Sequence, residues 1–413
     1  MQHSQQDWRR VLTVLTIALV IEVISFSHVA AFVPLYLEVE LGLAPAEVKL
    51  WTGLVAGLPL AIALCLAPFW GVWAERYSPR LIIVRAQAFE LLVYLGMVFA
   101  VTLPQFFAAS LLLGLTFGNI AVLMALLAQV TPTHRVGFAI SIIQAALPLG
   151  QSLGPLFGSF LIPVIGLRGL FALDAVLVMI SAAIILLGVR DPVRIKRQET
   201  LGAHLRLTFH QAIRLPEIRW TFLTMFLMLI GMSAIQPYIP IFLGQFYEGD
   251  ELARMIGLVL GTAGITTVIV TPLIGYFGDR TGHENFALIG LGSMVVIHLL
   301  LLALSGPLAL ITLLLLRNIP YSSTMSPLNA TLAINAPADN RAALISLAPF
   351  PRNTGMFLGP VLAALVASYD LQLLFPFATA FFVAALLAAL TMRRSLRRRQ
   401  AGERRLVTPA PGG

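Results

Sequence analysis

The chain of 413 residues contains a single cysteine, Cys65, and only 11% charged residues. One cysteine excludes a disulfide within the chain and leaves no Cys-x-x-Cys pair for a metal. The sequence has no Gly-rich phosphate loop ending in Lys-Ser/Thr and no His-Glu-x-x-His pair, which argues against ATP hydrolysis and a zinc site. We therefore expect no enzyme activity, no metal and no cofactor.

Hydrophobic residues, in contrast, make up 58% of the chain, and its mean hydropathy is +0.89. These values lie far from the balance of a water-soluble domain. Apolar runs of about 20 residues, enough to cross a bilayer, recur along most of the sequence. The first run follows Trp8, Arg9 and Arg10 and has full spanning length, which favours a retained helix over a cleaved signal peptide.

The apolar runs predict an all-α integral membrane protein with twelve transmembrane helices in two pseudo-symmetric bundles of six. The helices, numbered one to twelve, are predicted at 11–37, 47–73, 81–101, 105–130, 136–162, 168–189, 219–246, 251–277, 285–304, 307–335, 340–368 and 371–392.

Basic residues are distributed unevenly between the two ends of such a bundle. If the N-terminus is cytoplasmic, 22 of the 27 Lys and Arg residues lie on the cytoplasmic side. The outer loops then hold only Lys49, Arg168 and Arg254. The positive-inside rule therefore predicts a multi-pass protein of a bacterial-type inner membrane with both termini in the cytoplasm.

The same pattern predicts the domain organisation. Residues 1–189 and 219–392 form the two six-helix bundles, and residues 190–218 form a cytoplasmic linker with an amphipathic helix along the membrane surface. Residues 393–413 form a basic cytoplasmic tail. We expect this tail to contact anionic lipid headgroups rather than nucleic acid.

Short motifs recur at an offset of about half the chain. The segments Gly71 to Arg80 and Gly275 to Glu284 are similar, and their glycines are 204 positions apart. Further pairs are Gly154-Pro155 with Gly359-Pro360, Gly53 with Gly257, Gly57 with Gly261, and Val33-Pro34 with Ile239-Pro240. These pairs indicate an internal duplication, which is typical of carriers whose halves rock about a site between them.

The motifs resemble those of the major facilitator superfamily. The segments beginning at Gly71 and Gly275 resemble the family's loop motif and its second-half counterpart. Residues 150–158, Gly-Gln-Ser-Leu-Gly-Pro-Leu-Phe-Gly, resemble the glycine-proline motif of its drug:proton antiporters. The resemblance implies the twelve-helix multidrug efflux branch, with helices one, four, seven and ten around a central cavity.

The loop charges predict a gate. An acid and arginines at a helix end can pair with each other and with helix-end carbonyls, and such pairs can hold one side of a carrier closed. Glycines four residues apart allow close helix contacts, and a proline among them predicts a slight kink. Alternatively, the loops only anchor the topology and the glycines only pack. The predicted gating residues are Gly71, Glu75, Arg76, Arg80, Gly275, Asp279, Arg280, Gly150, Gly154 and Pro155.

The chain also departs from the family's pattern. Glu75 stands where the family usually has Asp, and Ser78 and Pro79 stand where it has Gly and a basic residue. The family's exporters carry an arginine in helix four that is linked to proton coupling, and Ser110 takes that position here. The last departure argues against proton antiport by the usual route.

Three charged residues fall within predicted helices. Glu22 lies about 11 residues into helix one, roughly 16 Å along its axis. Arg317 in helix ten and Arg352 in helix eleven are predicted at similar depth. Because ionisable groups at membrane depth usually face a cavity or a partner, we predict that Glu22 binds protons or a cation. The two arginines would be its counter-charges or anion anchors, and a permanent structural ion pair is the alternative.

Polar and aromatic residues on the helices around the implied cavity predict substrate contacts. An apolar pocket with a few polar groups suits amphipathic molecules, although helix packing recruits the same residue types. The predicted substrate-binding residues are Phe26, Asn119, Gln144, Gln236, Tyr238, Asn318, Ser322 and Asn329, with Phe117 as further aromatic surface. Structural hydrogen bonds are expected of Glu90, Asp174 and His298, whereas His28 either joins a pathway below the outer gate or is satisfied by a local hydrogen bond.

These features predict a monomeric secondary active transporter that exports amphipathic drugs or metabolites by alternating access, in exchange for protons. Three alternatives remain open. The first is export of a specific polar or anionic compound, such as a siderophore, sugar or lipid-linked molecule, held by Arg317 and Arg352. The second is a transporter-derived sensor that moves nothing. The third is an intramembrane enzyme, which would form a product rather than move a substrate.

Overall fold

The computed structural model describes residues 7–76, 78–190, 214–304, 306–337, 344 and 347–407. Every regular element in these ranges is a helix, and they contain no β-strand. Of the predicted linker, 190–218, residues 191–213 lie outside the described part of the chain, and the next helix already begins at Pro216.

The N-terminal half consists of long apolar helices joined by short turns. Asp7 caps the first helix and Ser78 caps the third, each by accepting a hydrogen bond from a backbone amide two or three residues further on. The helices are α1 (Trp8–Leu35, continued by a π-helical turn Tyr36–Glu40), α2 (Pro45–Arg76), α3 (Pro79–Phe99), α4a (Leu103–Leu111), α4b (Asn119–Val130) and the stretch Val136–Gly188.

The stretch Val136–Gly188 is divided at Gly166, whose φ of +71° suits a residue without a side chain. We name residues 136–165 α5 and residues 167–188 α6. Asp174 of α6 contacts His28, and Ser181, further along α6, bonds Ala18, earlier on α1. Helix α6 is therefore antiparallel to α1, and the chain reverses at Gly166.

The C-terminal half repeats this arrangement. Its helices are α7 (Pro216–Ile235, continued by Gln236–Tyr238 and Ile239–Leu243), α8 (Gly249–Thr281), α9 (His283–Ala303), α10a (Pro307–Leu316), α10b (Asn318–Asn335), α11 (Pro349–Tyr369) and α12 (Leu374–Val407, preceded by the short turn Leu371–Leu373). We call the end of the bundle where α1 begins and α12 ends the terminal end, and the opposite end the distal end.

The predicted all-α membrane fold is confirmed. Within the described residues, nine helical stretches are long and apolar enough to cross a bilayer, and α5 and α6 count as one of these. Each of the twelve predicted ranges contains residues that the structure describes as helical, and residues 340–343, 345 and 346 of the eleventh lie outside the described part of the chain. Helix twelve continues beyond its predicted end into the basic tail, where Arg399 pairs with Glu217 at 2.7 Å.

Glycines hold α5 against α1. A Cβ atom at Gly150 would lie 2.7 Å from the side chain of Val23, and one at Gly154 would lie 2.7 Å from the carbonyl oxygen of Ile24. The Ser27 hydroxyl donates to the Gly150 carbonyl at 3.4 Å. Small residues are required wherever membrane helices approach this closely.

The same contact recurs between α11 and α7. A Cβ atom at Gly355 would lie 2.7 Å from the carbonyl oxygen of Phe226, and Gly359 lies against Ile230. The Ser233 hydroxyl donates to the Gly355 carbonyl at 3.1 Å, as its counterpart does in the first half. The duplicated motifs therefore build the same helix pair in each half.

Two equivalent interfaces join the halves. Gly53 of α2 packs against the Pro360 carbonyl of α11, and Gly257 of α8 packs against the Pro155 carbonyl of α5. These contacts lie toward the distal end of the helices, as do those of Gly57, Gly261 and Gly264. The halves are thus held together distally by backbone contact through glycine.

Replacing Gly257 tests this distal closure. In Gly257→Val, the added side chain collides with Pro155 and Ser159 of α5, and such overpacking costs about 1–3 kcal/mol. We expect the distance between spin labels at positions 49 and 254, measured by double electron–electron resonance, to increase. Gly292→Val is the matched control, because nothing lies within 4 Å of a Cβ atom there. Unchanged distances in Gly257→Val would contradict the proposed closure.

Candidate functional site

One face of α5 changes from packed to exposed along its length. Toward the distal end, Pro148, Ser152 and Pro155 contact α8. Toward the terminal end, the same face continues through Gln144, which is exposed, to Gly137, where a Cβ atom would have no neighbour within 4 Å. The face that binds α8 distally therefore has no packing partner from Gln144 onward.

Helix α8 shows the same change. Its packed face, Gly257 to Gly264, continues at helical spacing to Val268 and Gly275. Val268 is 41% exposed, and a Cβ atom at Gly275 would meet nothing within 4 Å. Helices α5 and α8 thus touch distally and separate toward the terminal end. We call the space between them the central opening.

Helix α7 has one exposed amide among buried residues. It is largely buried, but Gln236 is exposed between Ile235 and Pro237, which are buried. The Gln236 Oε1 atom accepts a hydrogen bond of 2.6 Å from Nη2 of Arg317. Arg317 is only 1% exposed and lies at the junction of α10a and α10b. Arg317 therefore lies behind Gln236 and fixes the orientation of its amide, whose NH₂ group stays exposed.

Glu22 is held by an amide in the other half. Nδ2 of Asn119 donates to both carboxyl oxygens of Glu22, at 2.8 and 2.9 Å. Asn119 begins α4b directly after Gly118, whose φ of +97° interrupts helix four. This break directs the first side chain of α4b at α1. The carboxyl group therefore has a neutral partner in the interior of the bundle.

The predicted ion pair between Glu22 and Arg317 is not formed in the described structure. Glu22 bonds Asn119 within the N-terminal half, and Arg317 bonds Gln236 within the C-terminal half. Each ionisable group thus pairs with an amide of its own half, so neither of these two bonds has to break when the halves separate.

The predicted substrate-binding residues fall into two groups. Phe26 and Phe117 are partly buried and pack edge to face, with ring centroids 5.9 Å apart, one turn from Glu22. Gln144, Gln236 and Asn329 are exposed. These residues can present apolar and polar surface to a ligand.

The other predicted substrate residues are committed to internal contacts or buried. Tyr238 is fully buried, and its hydroxyl donates to the Lys49 carbonyl of α2 at 3.0 Å, so it belongs to the distal interface. Asn318 donates to backbone carbonyls of its own helix. Ser322 is 2% exposed, and its hydroxyl has no partner.

The predicted depth of Arg352 is wrong. Helix α11 begins at Pro349, so Arg352 lies in its first turn and is exposed. Prolines are favoured at the start of a helix, because their missing amide hydrogen has no intrahelical acceptor there. Pro349 and Pro351 therefore mark a beginning that the apolar pattern placed nine residues earlier.

The predicted gate residues of the two loops lie at the terminal end, whereas Gly150, Gly154 and Pro155 lie within α5 at its contacts with α1 and α8. Arg80 donates to the Val189 carbonyl at the end of α6 at 3.2 Å, and the Arg280 guanidinium lies 4.2 Å from the ring centroid of Tyr276. Gly71, Glu75 and Arg76 belong to the last turns of α2. The side chains of Glu75, Arg76 and Asp279 lie outside the described part of the structure.

Gly150-Gln-Ser-Leu-Gly154 also matches the Gly-x-Ser-x-Gly pattern of serine hydrolases. In the structure Ser152 lies inside α5, and its hydroxyl donates to the Gly261 carbonyl of α8. This serine is part of a helix contact rather than a nucleophile at the tip of a turn.

Sequence reasoning missed that several ionisable residues of the N-terminal half are buried together with Glu22. Glu90 of α3, Asp174 of α6 and His28 of α1 are at most 4% exposed, and the last two pair at 2.7 Å. The available signal was the presence of acids in three apolar segments of one half. His298, by contrast, bonds the Met294 carbonyl of its own helix and packs on Phe382, as expected of a structural residue.

Comparison with known proteins places this geometry in a family. The family model described as Major Facilitator Superfamily matches residues 15–348 and 250–411. The multi-drug resistance efflux pump PmrA homolog of Lactococcus lactis is 25% identical over 365 residues, covering 88% of this chain and 89% of its own length. The multidrug resistance protein MdtG of Klebsiella pneumoniae is 27% identical over 373 residues, covering 89% and 90%.

A solved structure shares the fold. A bacterial homologue of the human lysosomal transporter Spinster, in an inward-facing and unoccupied conformation, superposes with a TM-score of 0.76. The match covers 94% of this chain and 98% of that one, at 14% sequence identity. This likeness supports the arrangement of the helices.

Cysteine labelling tests the central opening. In a Cys65→Ser background, Gln144→Cys should react with a membrane-impermeant maleimide from the terminal end. Ser152→Cys, about two turns further along the same face, should react far more slowly, because that position is packed against α8. Equal labelling rates would contradict a central opening that is closed distally and widens toward the terminal end. Labelling of Gln144→Cys in inside-out but not right-side-out vesicles would place the terminal end in the cytoplasm.

Proposed function

The chain belongs to the major facilitator superfamily, and from this premise we propose that it exports amphipathic small molecules across the inner membrane in exchange for protons. The terminal end is cytoplasmic in this proposal, as the distribution of Lys and Arg favours. The structure then corresponds to the state in which substrate enters from the cytoplasm.

One observation carries the proton coupling: the Glu22 carboxyl group is bonded to the neutral amide of Asn119. An acid that is ion-paired in a membrane is held ionised by its partner. An acid bonded to an amide can gain or lose a proton without leaving a buried cation uncompensated. Glu22 is therefore suited to alternate between two protonation states during a transport cycle.

The transport cycle follows from the two interfaces. Substrate enters the central opening from the terminal end while Glu22 carries a proton. Substrate binding near Glu22 favours its ionised form, and the proton leaves to the cytoplasm through the open terminal end before the halves rock. The distal glycine contacts then separate, and the loops at Gly71 and Gly275 close the terminal end. Substrate leaves distally, and Glu22 takes up a proton from that side.

The substrate class is inferred from the surface of the opening. Phe26 and Phe117 supply aromatic surface next to Glu22, and Gln144 and Gln236 supply exposed amides. This combination suits amphipathic molecules with few polar groups. The relatives named as multidrug efflux pumps fit the same class. We expect the protein to act as a monomer among membrane lipids, because each half of the site is formed within one chain.

A specific anionic substrate is the second candidate, and Arg317 favours it. The Nη1 atom of Arg317 is buried without a hydrogen-bond partner. An anionic group would reach this atom only if Gln236 moved aside, because Gln236 lies between the guanidinium and the opening. For this reason we assign Arg317 the role of orienting Gln236, and direct anion binding remains the alternative.

Transport by Glu22→Gln tests the proton coupling. In proteoliposomes with an imposed pH gradient, wild-type protein should accumulate ethidium, and Glu22→Gln should abolish the gradient-driven part of the flux. Ethidium binding should persist, because the glutamine keeps the shape of the site. Glu38→Gln is the control, since Glu38 is an exposed acid at the distal end of the same helical stretch. Gradient-driven flux in Glu22→Gln equal to that of wild type would refute the assignment.

Arg317→Lys tests how Arg317 acts. Lysine keeps the positive charge but loses the planar fork that holds Gln236. A hydrogen bond to a charged group is worth about 1.5–3 kcal/mol, so ethidium affinity should fall by about tenfold or more if Gln236 must be oriented. Fluorescence titration measures this affinity. Gln236→Leu should have the same effect, and the double variant should add little. If an organic anion binds instead, and only with Arg317 present, the second candidate is correct.

A further inference from the structure

Three carboxyl groups and one imidazole are buried together in the N-terminal half. Glu22 and His28 lie on α1, Glu90 on α3 and Asp174 on α6. Their exposed fractions fall from 8% at Glu22 to 4% at Glu90, 1% at His28 and 0% at Asp174. We call these four residues the acid cluster. Only Glu22 retains appreciable contact with the space outside the protein.

The three helices that carry the acid cluster are packed against one another. Gln87, one turn before Glu90 on α3, donates to the Ser181 hydroxyl of α6, and this hydroxyl donates to the Ala18 carbonyl, one turn before Glu22 on α1. Helix α5 carries no titratable residue between 136 and 165, and neither do the described parts of helix four. Arg85 of α3 donates to the Leu115 carbonyl. The single ion pair of the cluster in the described structure is that of His28 with Asp174.

Several polar atoms of the acid cluster have no hydrogen-bond partner. They are Oε2 of Glu90, Oδ2 of Asp174 and Nε2 of His28, and the hydroxyl of Tyr94, one turn after Glu90 on α3, is also unpaired among the described residues. Buried polar atoms are normally paired, and each unpaired one has an explanation. An ionised Glu90 would leave a charged oxygen buried without a donor, whereas a protonated Glu90 has its own O–H group to donate.

The charge balance leads to the same result. With all acids ionised, the cluster would carry three negative charges against at most one positive charge on His28. Like charges that share a low-dielectric site cannot all stay ionised, and the usual resolution is a retained proton. Such a proton belongs to the group of interacting sites rather than to one isolated residue.

We propose that Glu90 is a second proton-binding residue, which shares protons with Glu22 and connects it to the His28–Asp174 pair. The cluster is a proton store on the distal side of Glu22. Once substrate has left distally, the proton on Glu90 can pass to the ionised Glu22, and Glu90 takes up a new proton from the distal side. The link to transport rests on the proposed function, whereas the proton on Glu90 does not.

The position of His28 and Asp174 indicates the direction of proton entry. His28 lies six residues beyond Glu22 on α1, about 9 Å nearer the distal end. Gly158 of α5 faces the His28 ring, where a Cβ atom would lie 2.9 Å from Cδ2. The acid cluster thus extends from the wall of the central opening toward the end that is closed here. In an exporter, protons come from that side.

Infrared difference spectroscopy of the full-length protein in lipid, between neutral and alkaline pH, tests the proton store without any substrate. Wild-type protein should show the C=O stretch of a buried protonated carboxyl group at neutral pH. Glu90→Gln should remove or weaken this band, and Glu90→Asp should restore it at a shifted frequency. The exposed control Glu38→Gln should leave it unchanged. Absence of the band in wild type, or its full retention in Glu90→Gln, overturns the proposal.

Two further variants distinguish a proton store from a structural network. If Asp174→Asn removes the band and Glu90→Gln does not, the proton resides on Asp174 and the assignment to Glu90 is wrong. The pH dependence of ethidium flux in proteoliposomes should become shallower in Glu90→Gln while flux continues. Unchanged flux in Glu22→Gln refutes the proposed coupling but leaves the infrared result intact, so the two hypotheses fail separately.

Discussion

Close backbone contact between helices, made possible by glycine, is the constraint on which the rest of the structure depends. Lipid tails are as apolar as the helices, so helices associate through packing and hydrogen bonds rather than through the hydrophobic effect. Helices α5 and α11 use glycines of their own to pack on α1 and α7, and offer their proline carbonyls to glycines of α8 and α2. The same two helices therefore stabilise each half and join it to the other. Because these joints lie distally, the terminal end can open while they remain closed.

The distribution of charge follows this division into halves. The acid Glu22 and the base Arg317 each bond an amide within their own half, so separation of the halves breaks no buried ion pair. The N-terminal half concentrates acids that can hold protons, and the C-terminal half presents an amide oriented by a buried cation. The two halves of the duplicated scaffold thus differ in their buried charges, and Ser110 at the position of the usual helix-four arginine is a further difference.

The sequence predicted features that depend on local spacing. The glycines at intervals of four, the duplication offset and the apolar helices were all recognisable, since each is a property of neighbouring residues. The sequence-based prediction of the depth of Arg352 was wrong, because an apolar pattern does not show which proline begins the helix. Sequence reasoning also misjudged Tyr238, whose hydroxyl bonds α2 of the other half, since the direction of a side chain depends on the rotation of its helix against neighbours that are distant in sequence.

The sequence by itself therefore determined that this chain is a duplicated, multi-pass membrane protein with close helix contacts at fixed positions. Only the tertiary structure decided which end of the bundle those contacts close and which partner each buried charge bonds. The physical reason is that the partners are far apart along the chain: Asn119 lies 97 residues from Glu22, and Gln236 lies 81 residues from Arg317. No periodicity relates such pairs, and only the packing of whole helices brings them together.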